Sequence, residues 1–108
     1  MAEEIEDMGR SEKRALDSYV QRLLEHLMKL HLWTAEVDRC KKGWQAEINT
    51  FRKQIKRIIR KNPSLKKYAL AEYAENFEIA KIRMSGYFEI PDDFYLSINE
   101  ALADQNFS

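Results

Sequence analysis

The clearest pattern of hydrophobic and polar positions lies between residues 42 and 68, KGWQAEINTFRKQIKRIIRKNPSLKKY. Apolar residues recur there at spacings of three and four, which places them in one stripe of a helix that turns about 100° per residue. They are Trp44, Ile48, Phe51, Ile55, Ile58 and Ile59. The basic residues fall on the other side, and they are Arg52, Lys53, Lys56, Arg57 and Arg60. We expect the rest of the chain to be organised around this amphipathic helix.

The residues before this segment predict a short acidic helix followed by a long one. Gly9 is a candidate helix stop and Ser11 a candidate cap, so the first piece is expected to end there. The alternative is a kink in one helix, since the apolar residues on both sides would still share a face. A continuous helix would also put Glu12 inside the apolar face, which a carboxylate resists unless it is paired. The next helix is predicted over residues 12–33, with a loop over 34–43. Its buried arc comprises Leu16, Tyr19, Val20, Leu23, Leu24, Leu27 and Leu30.

The residues after the amphipathic segment predict a third long helix and a packed tail. Asn62-Pro63 stops the preceding helix, Ser64 can cap the next one, and that helix is expected over about 65–85. Its apolar stripe comprises Ala69, Tyr73, Phe77, Ala80 and Met84. The bulky side chains after Gly86 favour a segment laid across the helices. Ser97 with Glu100 three residues later predicts a capping box and a short last helix.

Composition supports an all-α fold, a small bundle of three long helices with short terminal ones, in a single domain over residues 1–108. Hydrophobic residues make up 44% of the chain and charged residues 33%, whereas there are only three glycines and two prolines. No apolar run is long enough to span a bilayer, and the first residues are acidic where a signal peptide would be basic. With the single Cys40, these features predict a cytoplasmic protein.

The charges sum to zero but are unevenly distributed along the chain. Residues 1–38 hold five bases and nine acids, residues 39–67 hold eleven bases and one acid, and residues 68–108 hold two bases and eight acids. The basic part contains a candidate nucleic-acid-binding row, because phosphates attract such a cluster. It comprises Lys53, Lys56, Arg57, Arg60, Lys61, Lys66 and Lys67. The alternative is a cationic face neutralised by Glu72, Glu75 and Glu78 or by a second subunit.

Signals for catalysis are weak. The acids Glu3, Glu4, Glu6 and Asp7 resemble carboxylate clusters that hold Mg²⁺ in helical phosphohydrolases, so a metal-dependent hydrolase is a third hypothesis. His26 and Glu12 are the only pair that could carry acid–base chemistry. His26 and His31 lie about 140° apart on a helix, which is the wrong spacing for one metal ion. We therefore predict no catalytic residues, no metal site and no cofactor.

Four segments together resemble the bacterial family known as domain of unknown function twenty-nine, which is frequent in cyanobacteria. The segments are EEIEDMGRSEKRAL (3–16), LLEHLMKL (23–30), Gly43-Trp44 and RKQIKRIIRKNPSLKKY (52–68). The resemblance implies a small α-helical protein without an agreed activity, and it supplies no catalytic residues. Members usually carry another helical segment before the EEIEDMG run, within which this sequence starts. We expect that N-terminal helix to be lacking here.

Loss of a covering helix would expose apolar surface, and such a surface tends to find a partner. We therefore predict a partner interface made by Ile5, Met8, Leu16 and Leu23. It would serve a homo-oligomer or a protein that supplies a helix in trans. The sequence thus describes an uncharacterised small helical protein whose favoured role is that of a protein-interaction module. Nucleic-acid binding and metal-dependent hydrolysis are the alternatives.

Overall fold

Four helices form the secondary structure of the protein in the computed structural model, which describes the backbone of residues 2–108 and the side chains of residues 10–108. They are α1 (Ala2–Leu32), α2 (Thr34–Lys61), α3 (Leu65–Met84) and the short α4 (Ile98–Leu102). The described residues form no strand. The predicted all-α bundle of three long helices is therefore confirmed. Within the same residues, no helix combines the length and apolar character that a membrane crossing requires.

Helix α1 is the central element of the bundle. It packs along both α2 and α3, whereas α2 and α3 hardly contact each other. The core consequently lies on α1, where Leu16, Leu24 and Met28 are fully buried. The prediction that the basic helix organises the rest of the chain is wrong. Periodicity shows which face of a helix is buried but not how many neighbours that face meets.

The predicted break at Gly9 and Ser11 is absent, because α1 runs continuously through both residues. The continuous helix places the carboxylate of Glu12 on its apolar side, which is unfavourable unless the carboxylate has a partner. In the structure that carboxylate accepts a hydrogen bond from the side-chain amide of Asn62, at 3.2 Å. A polar partner fifty residues away thus removes the penalty for placing Glu12 at the edge of the core.

The predicted loop over 34–43 is also wrong, because α2 begins at Thr34 and continues through Gly43. The turn between α1 and α2 consists of Trp33 alone, whose backbone leaves the helical region at φ −86° and ψ 68°. Most residues between 34 and 42 are good helix formers, and one glycine costs a helix only about 1 kcal/mol. The stop signal at Gly43 is therefore too weak to end α2.

Aromatic side chains hold this turn against the segment that follows α3. The ring of Trp33 stacks on Trp44 at 6.1 Å between centroids and on Phe88 at 5.4 Å. The ring of Tyr87 lies 6.1 Å from Trp33 on the same end of the bundle. Aromatic pairs of this kind stabilise by about 0.5–1.5 kcal/mol beyond the area they bury. The sharp reversal at Trp33 is thus fixed by packing.

The apolar stripe of α2 is confirmed except for Trp44, which stacks on Trp33 outside the core cluster. Ile48, Ile55 and Ile59 are buried in the core, and Phe51 and Ile58 pack against its edge. Helix α3 lies where it was predicted, and Ala69, Tyr73, Phe77, Ala80 and Met84 are all buried. Ser64 precedes α3, but its hydroxyl donates to the side chain of Asn62 and forms no cap bond. The predicted capping role of Ser64 is therefore wrong.

The residues after α3 pack across the bundle, as predicted. Phe88, Ile90, Phe94 and Leu96 are half-buried against the core. Ser97 and Glu100 form the predicted capping box at the start of α4. The chain then turns at Ala103, whose φ of 53° is left-handed, and Phe107 returns to the core. This tail closes one side of the space between α2 and α3.

Candidate interaction surface

Seven basic side chains cover the outer side of α2 and the first turn of α3. All seven are exposed, and they are Lys53, Lys56, Arg57, Arg60, Lys61, Lys66 and Lys67. On α2 they span an arc of about 140°, centred almost opposite the buried isoleucines, because a helix turns about 100° per residue. We call these seven residues the basic face. The sequence pattern alone indicated its position.

Acidic residues of α3 do not neutralise the basic face. Among residues 10–108, the ion pairs are His26–Glu47, Arg39–Glu36 and Arg83–Glu25. Glu72, Glu75 and Glu78 take part in none of them, because α3 packs on α1 and hardly contacts α2. Partial burial and the neighbouring carboxylate of Glu75 instead raise the pKa of Glu72. The predicted neutralisation by these three residues is therefore wrong within the described part of the chain.

Arg52 behaves differently from the other bases of α2. Its Nε donates a hydrogen bond to the carbonyl oxygen of Ala101, at 2.8 Å. Burial lowers the pKa of Arg52, but the guanidinium stays charged at neutral pH. Arg52 thus joins α2 to α4 and does not belong to the basic face. At 100° per residue it lies only about 20° from Ile59, so its grouping with the outer bases was wrong.

Two depressions flank the basic face. One lies between α1 and α2, has a volume of about 260 Å³, and is lined by Glu12, Ala15, Tyr19, Gln54, Arg57, Ile58 and Lys61. The other lies between α2, the start of α3 and the tail, and we call it the tail depression. Its volume is about 320 Å³, and its lining is Lys56, Ile59, Arg60, Lys66, Asp104, Asn106 and Phe107. The basic face therefore combines exposed cations with a depression on either side.

Comparison with known proteins identifies the family. The model of Domain of unknown function DUF29 matches residues 1–107. The chain belongs to the DUF29 family. Neither the comparison with curated proteins nor that with solved structures found a match. The family match confirms the resemblance seen in the sequence, and the family description assigns no activity.

Two of the four residues predicted to form a partner interface lie inside the core of this DUF29 chain. Leu16 is 0% exposed and Leu23 is 1% exposed within a single copy. Neither side chain is accessible to a partner, so the prediction that they form an interface is wrong. Ile5 and Met8 lie outside the residues whose side chains the structure describes.

The residues proposed for catalysis do not come together. Glu12 contacts Asn62, whereas His26 contacts Glu47 and lies about 21 Å further along α1. The ring of His26 also packs on Phe51, with 5.3 Å between ring centroids, so it is a boundary histidine. Residues 10–108 contain no group of three side chains arranged to hold a metal ion. The acids at positions 3, 4, 6 and 7 lie outside the described side chains.

A polar cluster between α1 and α3 was not foreseen. The buried amide of Asn76 donates to Asp17 Oδ1 at 3.0 Å and accepts from Gln21 Nε2 at 2.9 Å. The hydroxyl of Tyr68 donates to Asp17 Oδ2 at 2.6 Å, and this bond raises the pKa of Tyr68 to about 12. We call these four residues the polar bridge. The one available signal was Asn76, a polar residue three positions after Tyr73 and four before Ala80 in the buried stripe.

Proposed function

We propose that this DUF29 protein is a protein-interaction module that binds an acidic surface of a partner protein through the basic face. The supporting observation is that all seven cations are exposed while no acid of residues 10–108 pairs with them. Like charges on one helix repel each other, so a basic row without ion-pair partners destabilises the isolated protein. An acidic partner would relieve this repulsion on binding.

The rigidity of the surface supports the same role. The basic residues of α2 project from a helix whose opposite side is buried along α1. Their backbone positions are therefore fixed before binding, and less conformational entropy is lost when a partner docks. Complementary charge would also speed the encounter and select acidic partners over others.

Nucleic-acid binding is the second candidate, and the same exposed row favours it. Two features speak for a protein partner instead. The exposed aromatic side chains of the described part, Tyr87 and Tyr95, follow α3, whereas single-stranded nucleic acids are held by aromatic rings placed among the bases. Exposed acids on α3 and the tail, such as Glu75, Glu78 and Asp92, would also repel a long polyanion.

Charge reversal tests the protein-binding role. The variant Lys53→Glu/Arg57→Glu changes two exposed residues of the basic face, and Lys41→Glu/Lys42→Glu makes the same charge change near the other end of α2. Proteins captured by the immobilised chain from a lysate of its own cells would be identified, purified and titrated by calorimetry. We expect an acidic partner whose affinity falls at least about tenfold with the first variant and stays nearly constant with the second. Equal affinity for both variants contradicts the proposal.

Fluorescence anisotropy with mixed-sequence DNA and RNA separates the two candidates. A polyanion held by several cations weakens steeply as salt rises, by about 10³-fold or more between 50 and 200 mM when six phosphates are contacted. Such a slope, lost in Lys53→Glu/Arg57→Glu, would establish nucleic-acid binding in place of the protein role. No anisotropy change at 50 mM salt would eliminate it.

A further inference from the structure

We propose that the tail depression is a binding site for a phosphate monoester carried on an apolar group. Lys56 and Arg60 enter it from successive turns of α2, and Lys66 enters it from the first turn of α3. Three cations from two helices thus surround one concavity. Its volume is about 320 Å³, and it opens broadly to solvent. This inference does not require the proposed protein partner.

The floor of the tail depression is apolar and well ordered by packing. Ile59 and Phe107 form it, and both belong to the hydrophobic core. The ammonium group of Lys66 lies over the ring of Phe107, 5.2 Å from its centroid. This cation–π contact holds the charge above the floor, where it can meet an anion. The edges of Ile59 and Phe107 that stay exposed, 9% and 6% of each residue, would contact an apolar carrier while its anionic end meets the cations.

The charge of the lining matches a doubly charged anion. Lys56, Arg60 and Lys66 contribute three positive charges and Asp104 one negative charge, which leaves a net +2. The carboxylate of Asp104 accepts the backbone N–H of Asn106 at 3.1 Å, so it is directed toward its own turn. A phosphate monoester carries about −1.5 to −2 at pH 7, whereas a carboxylate, a sulfate ester or a phosphodiester carries about −1. The monoester therefore balances the lining best.

The same lining argues against a nucleic-acid strand in this position. Each phosphate of a strand is a diester with a single charge, and the strand continues on both sides of it. Asp104 and Asn106 close one side of the depression, and the acid would repel the next phosphate. A terminal phosphate on a compact carrier avoids both problems.

Three probes with the same phenyl carrier test the proposal. Phenyl phosphate, phenyl sulfate and benzoate would be titrated into the ¹⁵N-labelled protein at low salt, and backbone amide shifts would be followed. We expect phenyl phosphate to saturate with a Kd of about 0.1–1 mM and to move amides near Lys56, Arg60, Lys66 and Phe107. The two singly charged probes should bind at least about tenfold more weakly.

Variants locate the binding. Lys56→Gln/Arg60→Gln removes two exposed cations from the lining, so it should weaken the binding of phenyl phosphate at least about tenfold. The circular dichroism spectrum should stay unchanged, because the fold does not depend on these two side chains. Lys41→Gln/Lys42→Gln is the matched control and should bind like the original chain. Shifts that do not saturate at 20 mM, equal affinity for benzoate, or undiminished binding by the first variant would each overturn the site. None of these outcomes affects the Lys53→Glu/Arg57→Glu test of the protein partner.

Discussion

At the scale of single residues, the polar bridge is the feature that most depends on exact partners. Asn76 is only 4% exposed, and its amide group satisfies Gln21 and Asp17 on the facing helix. Asp17 in turn accepts from Tyr68. A buried polar network costs little when each member is paired, but a missing member leaves the others desolvated and unpaired. The bridge therefore fixes how α1 and α3 are aligned.

Replacement of Asn76 tests how much the polar bridge contributes to the free energy of unfolding. Asn76→Ala should lower the free energy of unfolding by about 1–2 kcal/mol, because it removes two partly buried hydrogen bonds, one with Gln21 and one with Asp17. Urea unfolding followed by circular dichroism measures the change. Asn49→Ala, at an exposed position of α2, is the control and should cost less than about 0.5 kcal/mol. A similar loss of unfolding free energy in both variants would show that the hydrogen bonds of the polar bridge do not stabilise the fold.

Tyr68, the tyrosine of the polar bridge, should make the stability of the fold fall at alkaline pH. The hydrogen bond to Asp17 raises the pKa of Tyr68 to about 12, so the folded chain keeps this proton where an unfolded tyrosine, with a pKa near 10, loses it. Its contribution to stability is therefore complete below about pH 10 and is lost as the pH rises from 10 to 12. Burial also raises the pKa of Tyr73, which adds to the same loss.

Comparison with Tyr68→Phe isolates the Tyr68 contribution. The variant should be less stable at pH 7 by about 1 kcal/mol, the usual worth of one hydrogen bond, and its stability should fall less steeply above pH 10. Urea unfolding at pH 7, 9.5 and 11 measures both effects. Parallel pH profiles for the two proteins would show that the bond to Asp17 does not hold the proton of Tyr68.

At the scale of helices, the sequence predicted which segments are helical better than it predicted where each helix begins and ends. Helix α3 and the capping box of α4 were located correctly, because Pro63 and the Ser97–Glu100 pair act within a few residues of themselves. Helices α1 and α2 begin before their predicted starts. Glu12 is satisfied by Asn62 and the turn at Trp33 is held by Phe88, and both partners are distant in sequence. Local patterns cannot show such contacts.

The same limit applies to the candidate surface. The five bases of the basic face that lie on α2 could be named from helical periodicity alone, since exposure opposite a buried stripe is a local property. The tail depression could not be named, because it needs Phe107 and Asp104 to return beside α2. Leu16 and Leu23 were placed by the same periodicity on the buried arc of α1, and their burial within one copy agrees with that arc and not with the predicted partner interface.

Gly43 offers a direct test of the length of α2. A Cβ atom at this position would meet nothing within 4 Å, and the residue lies inside the helix. Gly43→Ala should therefore raise the free energy of unfolding by about 0.5–1 kcal/mol, because alanine loses less entropy in a helix. Gly43→Pro should lower it by about 3 kcal/mol or more. If residues 34–43 formed a loop, neither substitution would have an effect of this size in urea unfolding.

At the scale of the whole molecule, the arrangement around α1 separates the charges. The bases of α2 lie on one flank, whereas the exposed acids Glu75 and Glu78 lie on α3, on another side of the central helix. A neutral total therefore conceals a surface with a strongly positive region. Such a surface favours association with charged partners, including further copies of the chain.

Self-association through Ile5 and Met8 stays a prediction. Sedimentation equilibrium at micromolar concentration should then give about twice the 12.8 kDa mass of one chain. Ile5→Glu/Met8→Glu should return it to a monomer, because charges are costly in an apolar interface. Ile82→Glu, at a side chain that is 71% exposed on α3, is the control and should leave the mass unchanged. A stable monomer of the original chain would contradict the prediction.

The single-residue turn at Trp33 has a practical consequence for such measurements. Trp33 and Trp44 stack on each other at that end of the bundle, and Arg60 lies about 24 Å further along α2 from Trp44. The intrinsic fluorescence of the two indoles therefore reports on the end of the bundle where α1 turns into α2 and where the segment after α3 packs on Trp33. It should change when α1 and α2 separate and stay constant when an anion occupies the opposite end. One optical signal can thus follow unfolding in the presence of a ligand without responding to the ligand itself.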